Sequence, residues 1–396
     1  MQTYQSMIDS GAPYIGSIPD EWDMLRASML FRENKRANSD LSSIVPVQFK
    51  LGEIIEKPID IDEKVQEEIK RYNVVNQDDI MVNGLNLNYD FLTQRVAIVR
   101  SPGCITPAYI SMKTRSKILP MYACYLLKAL DGRKVLNGWG TGIRLTLNFS
   151  EFKKYYLPVP PIQVQKKIVD YLDKETARID GLIAKQERLL ILLEEKRRSV
   201  ITLAVMNDNW PKEKIKYITS RRDQKINAES AVHYIGLEHV ESFTGKKIDA
   251  AAQSDPEGLT LGYKKNDVLF GKLRPYLAKV LLSEDEGICS PEFIVLNSGN
   301  NLLPEFLKYS LLNEQFIDLI NSSTYGAKMP RANWEFIGNS TLSLPPLHEQ
   351  EKILNRIKRQ EILTGQLKEK VLTQIEILKE RRTSLVSNVV TGKVKV

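Results

Sequence analysis

Residues 157–168, LPVPPIQVQKKI, return 185 positions later as LSLPPLHEQEKI at 342–353. The match continues without a gap to EEKRRSVI (194–201) against KERRTSLV (379–386), so that Pro160, Pro161, Gln165 and Arg197 stand opposite Pro345, Pro346, Gln350 and Arg382. An internal repeat constrains the architecture more than any motif, because each copy must fold to the same plan. Upstream the match drifts by a few residues, as loop insertions produce. Trp22 answers Trp210, DIMVNGL (79–85) answers DVLFGKL (267–273), GCITPAYI (103–110) answers GICSPEFI (287–294), and LPMYACYLL (119–127) answers LPEFLKYSL (303–311). Each half is therefore a globular segment followed by a long helix.

After each proline pair a helical pattern runs for about 40 residues without proline, and proline suits a helix start because its missing N–H would be unpaired there. A 4-3 spacing in the first helix picks out Ile168, Leu172, Ile179, Leu182, Leu189, Leu193, Val200 and Leu203, interrupted by Glu175, Gln186 and Lys196. In the second it picks out Ile353, Ile357, Leu367, Val371, Leu378 and Leu385, interrupted by Gln360, Thr364, Gln374, Arg381 and Asn388. Such a seam specifies a coiled coil, with polar positions fixing register and partner. Two amphipathic helices packed on separate globules are the other reading. Related units pack most economically about a two-fold axis. A pseudo-axis within one chain predicts antiparallel helices with a globule at each end of a rod about 60 Å long.

The globular segments read as α/β (α+β). RVAIVR (95–100), YLAKVLL (276–282) and EFIVL (292–296) have strand patterns, whereas LPMYACYLLKAL and LPEFLKYSLLNEQFIDLI have helical ones, each opening after proline. The expected division is an N-terminal tail (1–17), a first globule (18–157), a first helical spacer (158–206), a second globule (207–342), and a second spacer with a C-terminal tail (343–396).

The net charge of +7 suits a polyanionic partner without proving one. Cys104, Cys124 and Cys289 form no CxxC pair and are odd in number, which fits small buried hydrophobes in a reducing cytoplasm. The opening MQTYQSMIDSGAP has neither a basic nor an apolar signal region, and no apolar run approaches the ~20 residues of a membrane span. A soluble, cytoplasmic protein is expected.

Catalytic machinery is hard to find. The chain has no G-x-G-x-x-G opening a helix, no phosphate-binding Walker loop, and no Asn/Asp-Pro-Pro-Tyr/Phe motif; the proline pairs follow Val159 and Leu344, which cannot bond a base's amino group. His233, His239 and His348 lack zinc-ligand spacing. Pro19-Asp20 followed by Glu33-Asn34-Lys35 has the residue types of a Mg²⁺-holding nuclease site, but the pattern is short and degenerate.

SGAPYIGSIPDEW (10–22), the twice-occurring Pro-Pro-x-x-x-Gln-x-x-Ile (Pro160/Pro161/Gln165/Ile168 and Pro345/Pro346/Gln350/Ile353) and FGKLRPYLAKV (270–280) together resemble the specificity subunit of type I restriction–modification enzymes. The resemblance covers nearly the whole chain and rests most on the order domain, helix, domain, helix. It implies two target-recognition domains, each reading one half of a split, asymmetric DNA site. The helices then serve as a spacer that docks methyltransferase subunits, two of them, with restriction/translocase subunits joining a larger complex. No cofactor is expected in this chain, since S-adenosylmethionine, ATP and Mg²⁺ would be bound by those partners. The first domain departs from the pattern. Where the second has Gly271-Lys272-Leu273-Arg274-Pro275, the first has Gly84-Leu85-Asn86-Leu87-Asn88.

Under this reading the DNA-binding candidates are Lys272, Arg274, Lys328 and Arg331 in the second domain and Arg144, Asn83, Asn86 and Asn88 in the first. Arginine suits the guanine edge and asparagine the adenine edge, while other cations hold phosphates. KMPRANW (328–334) aligns with IRLTLNF (143–149), and the alternative for that segment is a hinge without DNA contact. A rod of about 60 Å bounds the half-site separation below two turns of duplex. The charged run Glu194–Arg198 is either a solvated face or a subunit-docking surface, with Arg197 and Arg198 as the docking candidates. The competing function is a coiled-coil scaffold or dimerisation protein without sequence reading. A self-contained nuclease or methyltransferase fails for want of motifs.

Overall fold

Gln165 and Gln350, the glutamines of the repeated motif, are fully buried and make the same three hydrogen bonds. In the computed structural model, Gln165 accepts from Leu119 N (2.8 Å) and donates to Lys117 O (2.9 Å) and Pro160 O (2.8 Å). Gln350 accepts from Leu303 N and donates to Asn301 O and Pro345 O, each at 2.8 Å. Each side chain thus ties the start of a long helix to the start of the shorter helix of its own globule, Pro120–Gly132 or Pro304–Leu311. The structure describes residues 3–88, 94–227, 233–248, 259–326 and 328–396.

The chain divides into unit 1, Met1–Lys185 with Gln374–Val396, and unit 2, Gln186–Thr373. Each unit takes in one end of both long helices, whereas the sequence-based division set the helices apart as spacers. The segment set apart as an N-terminal tail is folded into unit 1. Met7–Asp9 pairs antiparallel with Ser17–Pro19, and Ala12 and Ile15 are buried in that unit's core.

Both units carry the same four-stranded antiparallel sheet. In unit 1 the order is Phe31–Glu33, Ile110–Thr114, Ile80–Val82, Val96–Ile98. In unit 2 it is Thr219–Arg222, Phe293–Ser298, Val268–Gly271, Val280–Leu282. The central strands are almost continuously apolar because both faces are covered: Ile80, Met81 and Val82, and Val268, Leu269 and Phe270, are all nearly inaccessible. A further antiparallel pair in each unit joins the entry to the globule with its exit, Asp23–Arg26 with Tyr156–Val159 and Lys212–Lys214 with Thr341–Ser343. The YLAKVLL run forms a strand only from Val280, since Ala278 has φ +45° and breaks extension before it. The long helical pattern after Pro304 splits at Asn313, whose side chain caps a second helix, Glu314–Ser322.

The two long helices, Ile162–Val205 and Leu347–Val390, have 44 residues each. Asp180 pairs with Arg382 (2.7 Å) in unit 1, whereas Arg197 pairs with Glu361 (3.3 Å) and Glu194 with Lys368 in unit 2. Within unit 2 the partner number falls as the residue number rises, so the two helix segments there are antiparallel.

Their seam differs from the expected one by one residue at alternate positions. Ile168, Leu172, Ile179, Leu193, Ile357, Val371 and Leu385 are buried, and Ile353 and Leu378 are half-buried. Leu182, Leu189, Leu203 and Leu367 are exposed. The inward positions are Ile183, Leu190, Arg197 and Ala204 in place of Leu182, Leu189, Lys196 and Leu203, and Leu354, Glu361, Lys368 and Ile375 in place of Ile353, Gln360, Leu367 and Gln374. The 4-3 alternation starts on the other step. Leucine content favours the outward register, but paired charges occupy the inward one. Glu194 accepts from Arg197 (2.9 Å) and Lys368. Burial opposes its ionisation, but these hydrogen bonds outweigh it and bring the carboxyl down to about 2.

Among the described residues no helix is long and apolar enough to cross a membrane. Cys104, Cys124 and Cys289 are buried and unpaired.

Candidate nucleic-acid interface

In each unit the strand that ends the apolar run leads into a loop laid against a turn from just before the long helix. In unit 1, Leu147 N donates to Gly84 O (2.9 Å), Leu87 N to Leu145 O (3.2 Å) and Asn88 Nδ2 to Ile143 O (3.2 Å). A Cβ on Gly84 would sit 2.1 Å from Leu147 O, so only glycine permits this approach. In unit 2, Ala332 N donates to Lys272 O (2.9 Å) and Arg274 N to Pro330 O (2.7 Å). The turns themselves close alike. Thr141 and Thr146 exchange backbone hydrogen bonds of 3.1 and 2.9 Å, and Tyr325 and Arg331 exchange bonds of 3.2 and 3.0 Å.

These contacts set the equivalence. Gly84 stands at the position of Lys272, as the match of DIMVNGL with DVLFGKL has it, and one residue from Gly271, opposite which the comparison of the two glycine-led segments put it. Counted from the paired strands, Asn86 falls at the position of Arg274, and both have φ +50° and exposed side chains, although the next bond to the turn is made by Leu87 N in unit 1 and by Arg274 N in unit 2. The alignment by glycine fails because strand register, Ile80 to Met112 and Val268 to Leu296, fixes the loop instead.

The unit 1 loop is held from inside by Arg95, which is buried and donates to Leu85 O (2.8 Å), Asn86 O (3.2 Å) and Asn83 O (3.3 Å). A guanidinium spent on three carbonyls fixes the backbone that presents Asn86. The Asn83 side chain is half-buried and accepts from Leu85 N (3.2 Å), and Asn88 is occupied by Ile143 O, so both shape the loop. Arg144 is exposed at the turn tip beside Ile143, which is 96% exposed. Asn86 and Arg144 are thus presented by two segments in direct contact.

The unit 2 loop borders a groove of about 540 Å³. Lys272 and Arg331 line it, and with them Arg221, Arg222, Lys225 and Trp334. Arg331 is held bidentately by Glu292, Nη2 to Oε1 at 2.7 Å and Nε to Oε2 at 3.2 Å. Arg221 pairs with Asp223 (2.6 Å) and lies 5.4 Å over the Trp334 ring, and Arg222 pairs with the buried Asp267 (2.5 Å). Lys225, Lys272, Arg274 and Lys328 have no carboxylate partner among the described residues. Arg274 and Lys328 are exposed next to the groove rather than within it.

Sequence reasoning missed Arg221, Arg222, Lys225, Trp334 and the carboxylate Glu292. The adjacent arginines in Thr219–Arg222, the strand paired with Phe293–Ser298, were the available signal.

The docking candidates Arg197 and Arg198 are both engaged within unit 2. Arg197 is 8% exposed and bonds Glu194, Glu361 and the carbonyl of Phe243, all within unit 2. Arg198 lies 3.9 Å over the Phe243 ring and pairs with Glu194 (3.5 Å) and Glu314 (3.8 Å). Both make their contacts within their own unit; the inward register buries Arg197, whereas Arg198 stays about a third exposed, at 32%. Of the nuclease-like residues, Asn34 is buried and donates to Asp79 (2.9 Å), Lys35 is exposed and pairs with Glu33 (2.9 Å), and Asp20 is exposed. Among the described residues there is no cluster of three or more metal-ligating side chains.

The family model for the type I restriction modification DNA specificity domain matches residues 102–190 and 202–377. The chain is 23% identical over 242 residues to the type I restriction enzyme EcoDI specificity subunit of Escherichia coli, covering 51% of this chain and 54% of that one. It therefore spans about half the length of that curated relative. It is 23% identical over 357 residues to the MjaVIII specificity subunit of Methanocaldococcus jannaschii, covering 82% and 80%. Two solved structures share the fold. One, from work on complex assembly and conformational transition of the type I R-M system, has a TM-score of 0.70 at 13% identity, covering 95% of this chain and 99% of that one. The other, the HsdS subunit from Thermoanaerobacter tengcongensis, has 0.53 at 14%, covering 95% and 98%. With both halves matched by one model, the chain belongs to the type I restriction modification DNA specificity family.

Proposed function

We propose that this chain is the sequence-recognition subunit of a type I restriction–modification system. Each unit reads one half of a bipartite, asymmetric DNA site. The observation that carries the reading is the pair of equivalent loops. Strand register puts a residue of φ +50° at the same position in both, while the displayed side chains differ, Asn86 in one and Arg274 in the other. Duplicated scaffolds with divergent exposed tips suit two readers of different sequences. Arg274 and Arg331 are assigned to base edges in unit 2 and Asn86 and Arg144 in unit 1, with Lys225, Lys272 and Lys328 on phosphates.

The long helices serve as spacer and as the platform for two methyltransferase subunits, to which restriction/translocase subunits add. Leu189, Leu192, Leu363 and Leu367 are 39–49% exposed on these helices and are the apolar side chains we assign to that docking. S-adenosylmethionine, ATP and Mg²⁺ belong to the partners, and the assembly works in the cytoplasm. This chain contributes recognition without bond-making chemistry.

Methylation mapping of DNA from cells carrying the intact system tests the proposal. Modified bases confined to two short blocks separated by a fixed number of unspecified pairs support it. Methylation unaffected by deletion of this chain overturns it.

A further inference from the structure

We propose that Glu292 is a positioning residue that sets specificity in unit 2: it holds the Arg331 guanidinium in one orientation and turns backbone phosphate away from the groove. The inference rests on the recognition reading above.

Arg331 has five N–H donors, and Glu292 occupies the side-on edge formed by Nε and Nη2. The end-on edge, the remaining N–H groups of Nη1 and Nη2, is left for a ligand. That edge matches the two acceptors of guanine in the major groove. The fork is fixed because both residues are anchored through their backbones. Lys272 N donates to Glu292 O (2.9 Å), Glu292 N donates to Ser290 Oγ (3.2 Å), and Arg331 is bridged to Leu273 and Tyr325. A pre-oriented arginine can distinguish bases, whereas a freely rotating one also satisfies a phosphate.

The pair does little for stability. Its side chains are 44% and 25% exposed, and ion pairs this open contribute weakly. Charge placement gives it a different use. Arg221 and Arg222 are each tied to a carboxylate on their own side of the groove. Removing the Glu292 charge would leave Lys225, Lys272 and Arg331 in a groove whose other lining acid, Asp223, is already paired with Arg221. Such a surface binds any duplex through its phosphates. The matching positions in unit 1 are Ala108 and Thr146, which hold no comparable pair.

The test uses the full chain assembled with its methyltransferase subunits and compares Glu292→Gln, Glu292→Asp and Arg331→Ala with the unsubstituted complex. Binding is read on random-sequence duplexes across a salt series and by selection from a randomised library. Glu292→Gln is expected to bind random duplex about fivefold to tenfold more tightly near 0.1 M salt, with a salt slope steeper by about one. It relaxes preference at one base pair of the half-site read by unit 2 and leaves the other half unchanged. Arg331→Ala loses preference at the same pair without the gain on random DNA. Glu292→Asp, which keeps the charge, retains the unsubstituted affinity for random DNA. An unchanged slope with unchanged half-site preference for folded Glu292→Gln overturns the proposal. So does a switch to a different preferred base at constant slope, which would make Glu292 itself the reader. If the unsubstituted complex binds all duplexes alike, the recognition reading falls and takes this one with it; the Glu292→Gln outcomes defeat the positioning role alone.

Discussion

Asn86 and Arg274 hold the same place in their two loops, each exposed and each with φ +50°. This left-handed conformation costs roughly 1 kcal/mol or more for a residue with a side chain. Asparagine tolerates it better than arginine, so unit 2 accepts the greater strain to place a guanidinium there.

Substitution at these positions separates reading from folding. Arg274→Gly relieves the strain and is expected to leave stability unchanged or raise it by about 0.5–1 kcal/mol. It should cost about 1–3 kcal/mol of discrimination at one base pair in one half-site. Asn86→Gly should do the same in the other half. Library selection with each variant, beside a urea melt, checks both effects.

The paired glutamines make a stability prediction. Gln165→Ala or Gln350→Ala removes three hydrogen bonds and leaves a half-buried N–H and two carbonyls without that partner. Each should destabilise its unit by about 2–4 kcal/mol. Equal losses in the two variants, measured by chemical denaturation, are expected because the two clasps are alike.

Acid should loosen the helix pair of unit 2. The Glu194 carboxyl, ordinarily near 4.5, falls to about 2 in the folded chain. Its contribution is fully present above pH 4.5 and is lost as the pH falls toward 2. With solvent screening of a half-buried group, it is worth about 1–2 kcal/mol. Glu194→Gln should flatten that part of the stability–pH curve, measured by denaturant midpoints between pH 5 and 2.5.

The seam correction predicts opposite behaviour for neighbouring apolar residues. Leu189→Lys with Leu367→Lys should change stability by less than about 0.5 kcal/mol per site, since both side chains are exposed. Ile357→Ala, at a fully buried site, should cost about 2–4 kcal/mol. Under the docking assignment the lysine pair also loses copurifying methyltransferase, which Ile357→Ala retains where it stays folded.

Much of the architecture could be read from the repeat. The proline pairs and Gln165 and Gln350 mark both helix starts, and the matched segments fall on equivalent strands and helices of the two units. The helix seam could not be placed to the residue. Leucines at Leu189 and Leu367 outweighed Arg197, Glu361 and Lys368, whose pairing, Arg197 with Glu361 and Lys368 with Glu194, makes their inward placement tolerable. The interface was only partly legible for a topological reason. Arg221, Glu292 and Arg331 are far apart in sequence and meet only because Thr219–Arg222 pairs with Phe293–Ser298 and the Tyr325–Arg331 turn closes over the Gly271–Arg274 loop. Sequence pattern carries no information about which side chains converge across such a sheet.

Selection from a fully randomised duplex library by the intact complex tests the central claim most directly. Two conserved blocks separated by a constant gap, with Arg274→Gly blurring only one and Asn86→Gly only the other, is the result the account predicts. A single uninterrupted block, or both variants blurring the same positions, would contradict it.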